Sequence, residues 1–275
     1  MNSDQESYLK TYAITDPGSR GEINEDRHEI TSLEIGEDSP PITLAVVADG
    51  VGGHKAGEIA SQLAVDAIIS VVKEGDISQP LWTLKSALLE ANHTITSQAE
   101  VDETKKGMGS TTTCALVIDY HLFIASMGDS RIYLIRDGRI RQLTVDHTWV
   151  QEAIENGVIS PQEARGHPRR NLIRSYLGSS NPIQPDLRMY LADTETPEQA
   201  EANQGLSLIP QDLVLLCSDG LTSLVTDEEI LTILEKISDK EQALQKLVEI
   251  TNSRGGHDDI TILLLQVPGE ELFLT

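Results

Sequence analysis

The chain is poor in basic residues, aromatic rings, cysteine and long apolar runs. Lysine and arginine number 21 against 44 aspartate and glutamate, so 275 residues carry a formal net charge of −23. Such a surface repels nucleic acid and anionic membranes, and neither is expected as a partner. Aromatics are 4% of the residues, which leaves few rings on which bases could stack. No apolar stretch approaches the ~18 residues that a membrane span needs. The opening residues, Met1 to Ser7, have neither the basic nor the apolar part of a secretory signal. The two cysteines, Cys114 and Cys217, each sit in an apolar run and read as small buried hydrophobes, not as a disulfide or zinc ligands. A cytoplasmic globular protein is expected.

What is present is a patterned mixture of strands and helices. Apolar or alternating runs predict strands over Tyr8–Ile14, Arg27–Ile35, Ile42–Ala48, Thr111–Ile118, Leu122–Ser126, Leu213–Cys217 and Ile260–Val267. Arg131–Arg136 and Arg139–Leu143 flank Asp137-Gly138, the signal of a tight hairpin. Helical spacing runs from Ala56 to Val72, from Leu81 to Thr96 and over Lys240–Thr251, and another helix is expected to start at Asp227, with that side chain as its cap. Two helices in succession between strands favour α+β over alternating βαβ units. Residues 193–205 read as an exposed polar loop. Residues 147–183, with three prolines and a basic patch at Arg165, His167, Arg169, Arg170 and Arg174, read either as a flap over a site or as a solvated loop. No repeat or linker divides the chain, so one domain over 1–275 is expected, with a flap-like insertion at about 147–183.

The chemistry is signalled by acidic residues at strand ends. Asp49 follows Leu-Ala-Val-Val-Ala, Asp219 follows Leu-Leu-Cys-Ser, and Asp258 and Asp259 precede Ile-Thr-Ile-Leu. Asp129 lies between a strand and the hairpin, and Glu25 and Asp26 precede a further strand. If such carboxylates converged, their mutual repulsion would resist joint ionisation unless a cation were bound. An all-oxygen donor set suits Mg²⁺ or Mn²⁺. Each Asp-Gly by itself reads more readily as only a turn.

Six motifs in order tie these pieces together: Asn24-Glu25-Asp26, Val47-Ala48-Asp49-Gly50-Val51-Gly52-Gly53-His54, Gly109-Ser110-Thr111-Thr112, Gly128-Asp129-Ser130-Arg131, Ser218-Asp219-Gly220-Leu221 and Gly255-Gly256-His257-Asp258-Asp259-Ile260-Thr261. With them the chain closely resembles the metal-dependent protein phosphatases (type 2C Ser/Thr phosphatases) in their compact bacterial form. The resemblance runs from about Tyr8 to Val267. It implies a four-layer α/β/β/α sandwich of two antiparallel sheets flanked by helix pairs, and hydrolysis of phosphoserine and phosphothreonine by a hydroxide bridging two metals. It implies two or three Mn²⁺ or Mg²⁺ ions. Asp49 would bridge two of them, the Gly50 carbonyl would assist, and Asp219 and Asp258 would complete the first ion. Glu25 would reach the second ion through water, with Asp26 close by, and Asp129 would hold a third ion together with Asp219. His54 matches a histidine linked to proton transfer, and otherwise reads as a helix-start residue. The implied partners are phosphorylated proteins made by Ser/Thr kinases, acted on by a monomer.

The chain departs from the family pattern in places. Where bacterial members carry a phosphate-binding arginine this chain has Gly21, and Arg20 lies one residue earlier; on a strand that shift would turn its side chain to the other face. Either Arg20 takes the role, or substrate affinity is weak, or an arginine of the 165–174 segment substitutes. Asp259 replaces an Asn beside the last metal Asp, and Arg131 reads as structural. The alternative function is a catalytically silent pseudophosphatase that binds a phosphoprotein. A hydrolase for small phosphoesters comes third, and a calcium-binding module is remote, since no Asp-x-Asp-x-Asp loop is present.

Overall fold

The computed structural model describes residues 8–20, 23–33, 40–51 and 55–269. His54 lies outside them, and so does the side chain of Arg20. The strands are β1 (Lys10–Asp16), β2 (Arg27–Leu33), β3 (Ile42–Ala48), β4 (Gly50–Val51), β5 (Gly109–Ser110), β6 (Thr112–Ile118), β7 (His121–Met127), β8 (Arg131–Arg136), β9 (Arg139–Gln142), β10 (Leu206–Ser207), β11 (Leu213–Cys217) and β12 (Ile260–Gln266). The helices are α1 (Lys55–Glu74), α2 (Pro80–Val101), α3 (Trp149–Glu155), α4 (Pro161–Arg165), α5 (Pro197–Ala202), α6 (Asp219–Thr222), α7 (Asp227–Lys236) and α8 (Lys240–Ser253). None of them is long and apolar enough to cross a membrane.

Two five-stranded antiparallel sheets form the centre, ordered β1-β12-β11-β8-β9 and β10-β7-β6-β3-β2. Strand alternation explains the layers. Along β3, Ala45 and Val47 face the opposite sheet, while Leu44, Val46 and Ala48 face helices α1 and α2. Along β12, Leu263 and Leu265 point between the sheets, while Ile260, Ile262 and Leu264 meet α7 and α8. Both faces of these strands are buried, which is why they read as near-continuous apolar runs, broken by Thr43 and Thr261, and not as alternating ones. The result is the expected four-layer α/β/β/α sandwich.

The Asp137-Gly138 turn behaves as its sequence demands. Both residues have positive φ, 51° and 67°, as a two-residue type I′ turn requires, and Arg136 pairs with Arg139 across it.

Other expectations shift. The first strand is Lys10–Asp16, because its ends are set by pairing of Lys10 with Gln266 and Asp16 with Ile260. Helix α7 is capped by Thr226, which exchanges bonds with Glu229 in a capping box; Asp227 instead accepts from the Tyr133 hydroxyl at 2.9 Å. The 193–205 segment is not all loop. Thr196, Pro197 and Gln199 start the short helix α5, whose Ala200 is buried. Residues 18–20 form a single 3₁₀ turn, so the strand-face argument about Arg20 does not apply.

Candidate active site

The acidic residues lie at one end of the sandwich, where strands stop and backbone direction changes. Asp49 follows β3, and Gly50 begins the short β4–β5 ladder by pairing with Ser110. Asp219 is the first residue of α6, directly after β11 and Ser218, and Asp258 and Asp259 precede β12. Glu25 and Asp26 precede β2, and Asp129 sits in the β7–β8 turn.

Polar side chains from neighbouring segments hold this arrangement. The Ser218 hydroxyl donates to Asp26 Oδ2 at 2.7 Å and accepts from the Thr261 N–H at 3.0 Å, joining three chain segments. Thr111 donates its N–H to the Asp49 carbonyl at 2.8 Å, and its hydroxyl lies 2.8 Å from Ser130, beside Asp129. Asp259 Oδ2 accepts from the Glu25 N–H at 2.7 Å, so the acid that departs from the family pattern fastens the Glu25 loop. The Glu25 carboxyl packs where Gly57 has no side chain: a Cβ there would lie 2.8 Å from Oε1.

The electrostatics show that the carboxyls converge. Burial, reinforced first by Asp26 and then by Asp219, Asp129 and Asp258, pushes Asp49 well above the ordinary carboxylate range. Burial pushes Asp26 up to about 7 although hydrogen bonds from Ser218 and Thr261 oppose it. Burial and the neighbouring Asp258 and Asp146 raise Asp219 to about 6. Burial, with Asp219 and Asp146, also raises Asp129. Glu25 joins the group through its backbone link to Asp259.

The donor set fits hard divalent cations. Asp26 Oδ1 and Asp129 Oδ1 are buried side-chain oxygens without a hydrogen-bond partner, a costly state that a cation would relieve. All candidate donors are oxygens, the preference of Mg²⁺ and Mn²⁺. Among the described residues, no three His, Cys, Asp or Glu side chains are grouped so that they could hold a metal ion as they stand. The carboxyls bond to protein groups instead, Asp219 with Asp49 and Asp26 with Ser218.

A cavity of about 640 Å³ opens beside Asp129 and Asp219. Its far wall comes from the 147–183 segment through Val150, Ile154 and Arg170. That segment is stapled at its base by the Thr148–Ile173 and Ser110–Leu177 bridges. Inside it His167 stacks on Trp149 at 4.7 Å, the Arg169 guanidinium lies 5.1 Å from the same ring, and Arg174 pairs with Glu152 at 2.9 Å. Of the basic patch, Arg170 is the member that lines the cavity, while the Arg165 side chain lies outside the described residues.

Sequence reasoning missed the supports. Ser218 and Thr111 lie within the matched motifs and Asp146 outside them, but nothing in their spacing tells what each one holds. The reading of Arg131 as structural agrees with its bonds to Asp146 and Tyr133.

Comparison with known proteins identifies the family. Residues 17–153 match the family model described as protein phosphatase 2C. A putative protein phosphatase 2C-type of Streptococcus pyogenes is 33% identical over 267 residues, covering 96% of this chain and all of the relative. The serine/threonine protein phosphatase PstP of Mycobacterium tuberculosis is 37% identical over 224 residues, covering 82% of this chain; the match spans 40% of that relative's length. A crystal structure of the PstP catalytic domain with two manganese ions superposes with a TM-score of 0.75 at 33% identity, covering 94% of this chain and 98% of that one. The chain belongs to the protein phosphatase 2C family.

Proposed function

We propose that this protein removes phosphate from phosphoserine and phosphothreonine of proteins, with divalent cations held by the carboxylates at the end of the sandwich. The enzyme class, protein-serine/threonine phosphatase, follows from the family, and dependence on divalent metal goes with it. The observation that carries the reading is the burial and mutual electrostatic repulsion of Asp26, Asp49, Asp129 and Asp219, four buried or half-buried acids from four separate segments.

When bound, the cations supply an activated water for in-line attack on phosphorus and offset charge on the phosphoryl oxygens. Asp49 would bridge two ions, with the Gly50 carbonyl, Asp219 and Asp258 on one of them and Glu25 and Asp26 toward the other. Asp129 and Asp219 would hold a third. His54 would protonate the leaving oxygen. Arg20 would bind the phosphoryl group; Arg170, which shares the cavity with Asp129 and Asp219, would be the flap arginine to replace it. Residues 147–183 would act as the flap of a single catalytic domain, and the protein would work as a cytoplasmic monomer on substrates of Ser/Thr kinases. No observation favours a silent phosphoprotein binder.

The test is hydrolysis of p-nitrophenyl phosphate and a phosphothreonine peptide with Mn²⁺, with Mg²⁺ and with EDTA. Turnover that needs metal and is lost in Asp49→Ala supports the reading. Folded, metal-loaded protein without turnover on either substrate rejects it.

A further inference from the structure

His147 stands directly behind the turn that carries Asp129. Its backbone N–H donates to the Gly128 carbonyl at 2.9 Å, and the Gly128 N–H donates to its ring Nδ1 at 2.9 Å. This reciprocal pair fixes the ring. An Nδ1 that accepts carries no hydrogen, so the ring hydrogen is on Nε2, which donates to Asp186 Oδ2 at 3.0 Å. Asp186 is itself immobile: Arg188 holds its carboxylate, and its backbone exchanges hydrogen bonds with Ser126 at 2.9 and 3.0 Å. Gly128 has φ +114°, and a Cβ there would lie 2.5 Å from Thr111 Cβ, so this turn has little freedom to relax elsewhere. The His147 carbonyl also accepts from the Arg174 N–H at 2.7 Å, beside the Thr148–Ile173 bridge at the base of the flap.

We infer that His147, oriented by Asp186, is a positioning residue that fixes the Gly128–Asp129 turn and thereby aims the Asp129 carboxylate at its cation. The inference rests on the proposed role of Asp129 as a metal ligand. An Asp129 whose turn loses its anchor must be ordered by the cation itself, so the loss appears in metal affinity before it appears in turnover at saturating metal.

The experiment compares wild type with His147→Ala, His147→Asn, Asp186→Asn and Asp129→Ala. Mn²⁺ binding to the metal-stripped proteins is measured by calorimetry, and p-nitrophenyl phosphate turnover is measured across a Mn²⁺ series. His147→Ala is expected to weaken the Asp129-dependent binding step by about tenfold, the lower end of what outer partners of metal ligands contribute. Turnover at saturating Mn²⁺ should change far less. His147→Asn, whose side-chain oxygen can replace Nδ1 as acceptor for the Gly128 N–H, should recover most of the affinity, and Asp186→Asn should lie between. If His147→Ala lowers thermal stability but leaves the Mn²⁺ titration as in wild type while Asp129→Ala changes it, the histidine only supports the fold and the inference fails. If Asp129→Ala leaves the titration unchanged, the ligand role of Asp129 fails and the inference falls with it. Should His147→Ala not fold, Asp186→Asn decides: a wild-type titration in that variant overturns the proposal.

Discussion

Arg131 grips both oxygens of Asp146, Nε to Oδ1 at 2.9 Å and Nη2 to Oδ2 at 2.7 Å, while its Nη1 donates to the Tyr133 hydroxyl at 2.9 Å. The pair joins the start of β8, two residues past Asp129, to the chain leading into the 147–183 segment. It is a bidentate contact between two mostly buried groups, with 24% and 19% of their side chains exposed. Arg131→Ala should therefore cost about 2–3 kcal/mol, since it leaves a carboxylate without its partner. Arg131→Lys keeps the charge without the fork and should recover part of that loss. Urea unfolding measures both; an unmoved midpoint in Arg131→Ala would mean that the pair contributes nothing to stability.

The raised carboxyls predict an unusual pH response of the metal-free protein. Asp26 titrates at about 7 and Asp219 at about 6 in the fold, against an ordinary aspartate value of 3.8. Between those limits the folded state binds more protons than the unfolded chain, so stability falls as pH rises. The stabilising protons are all present below about pH 4 and are lost as pH passes the folded values. In EDTA the melting temperature should fall from pH 5.5 to pH 8, and Asp26→Asn should flatten the slope. Saturating Mn²⁺ should reverse it, because cations bind the ionised carboxylates and displace the protons. An EDTA melting curve independent of pH across this window contradicts the raised state of Asp26 and Asp219.

How far the sequence could be read follows from which forces act locally. Strand β3 is legible to the residue, because both of its faces are buried and every residue from Ile42 to Ala48 but Thr43 is apolar. The hairpin was legible because only a few residues accept the positive φ of Asp137 and Gly138. Helix α5 was not, since six residues with one buried alanine leave no apolar period. The acids could be named through motif resemblance, but their convergence depends on how strand ends meet in space. The same holds for Ser218, whose hydroxyl reaches Asp26 across 192 positions, and for Asp259, whose bond to the Glu25 backbone crosses 234.

The 147–183 segment offers a separate prediction. Trp149 starts α3 and carries His167 against its ring, with Arg169 on the same ring. Ring stacking and the cation contact together contribute about 1–2 kcal/mol to local order. Trp149→Ala should speed tryptic cleavage within 165–174 while leaving the melting temperature of the whole protein within a few degrees. Turnover of p-nitrophenyl phosphate should be nearly unchanged, and the KM for a phosphothreonine peptide should rise. Equal cleavage rates in wild type and variant would show that the ring does not hold the segment.

Glycine at position 50 is a matter of space. A Cβ on Gly50 would lie 2.3 Å from the Gly57 carbonyl oxygen and 2.8 Å from the Glu25 carbonyl oxygen, and both are backbone atoms that cannot swing away. Gly50→Ala must therefore push the start of α1 and the Glu25 loop away from Asp49, separating acids that the fold brings together. Overpacking of this kind costs about 1–3 kcal/mol, and the displacement should weaken Mn²⁺ activation as well as stability. Gly166→Ala is the contrast, because its Cβ would meet nothing within 4 Å and Gly166 does not occupy the left-handed region. Removing that glycine's freedom in the unfolded chain should leave stability level or raise it by about 0.4–1 kcal/mol, with turnover intact. Denaturant unfolding and a Mn²⁺ activation series on the two variants separate the cases. A Gly50→Ala protein as stable and as readily activated as Gly166→Ala would mean that the Asp49 turn can open without disturbing the acids around it.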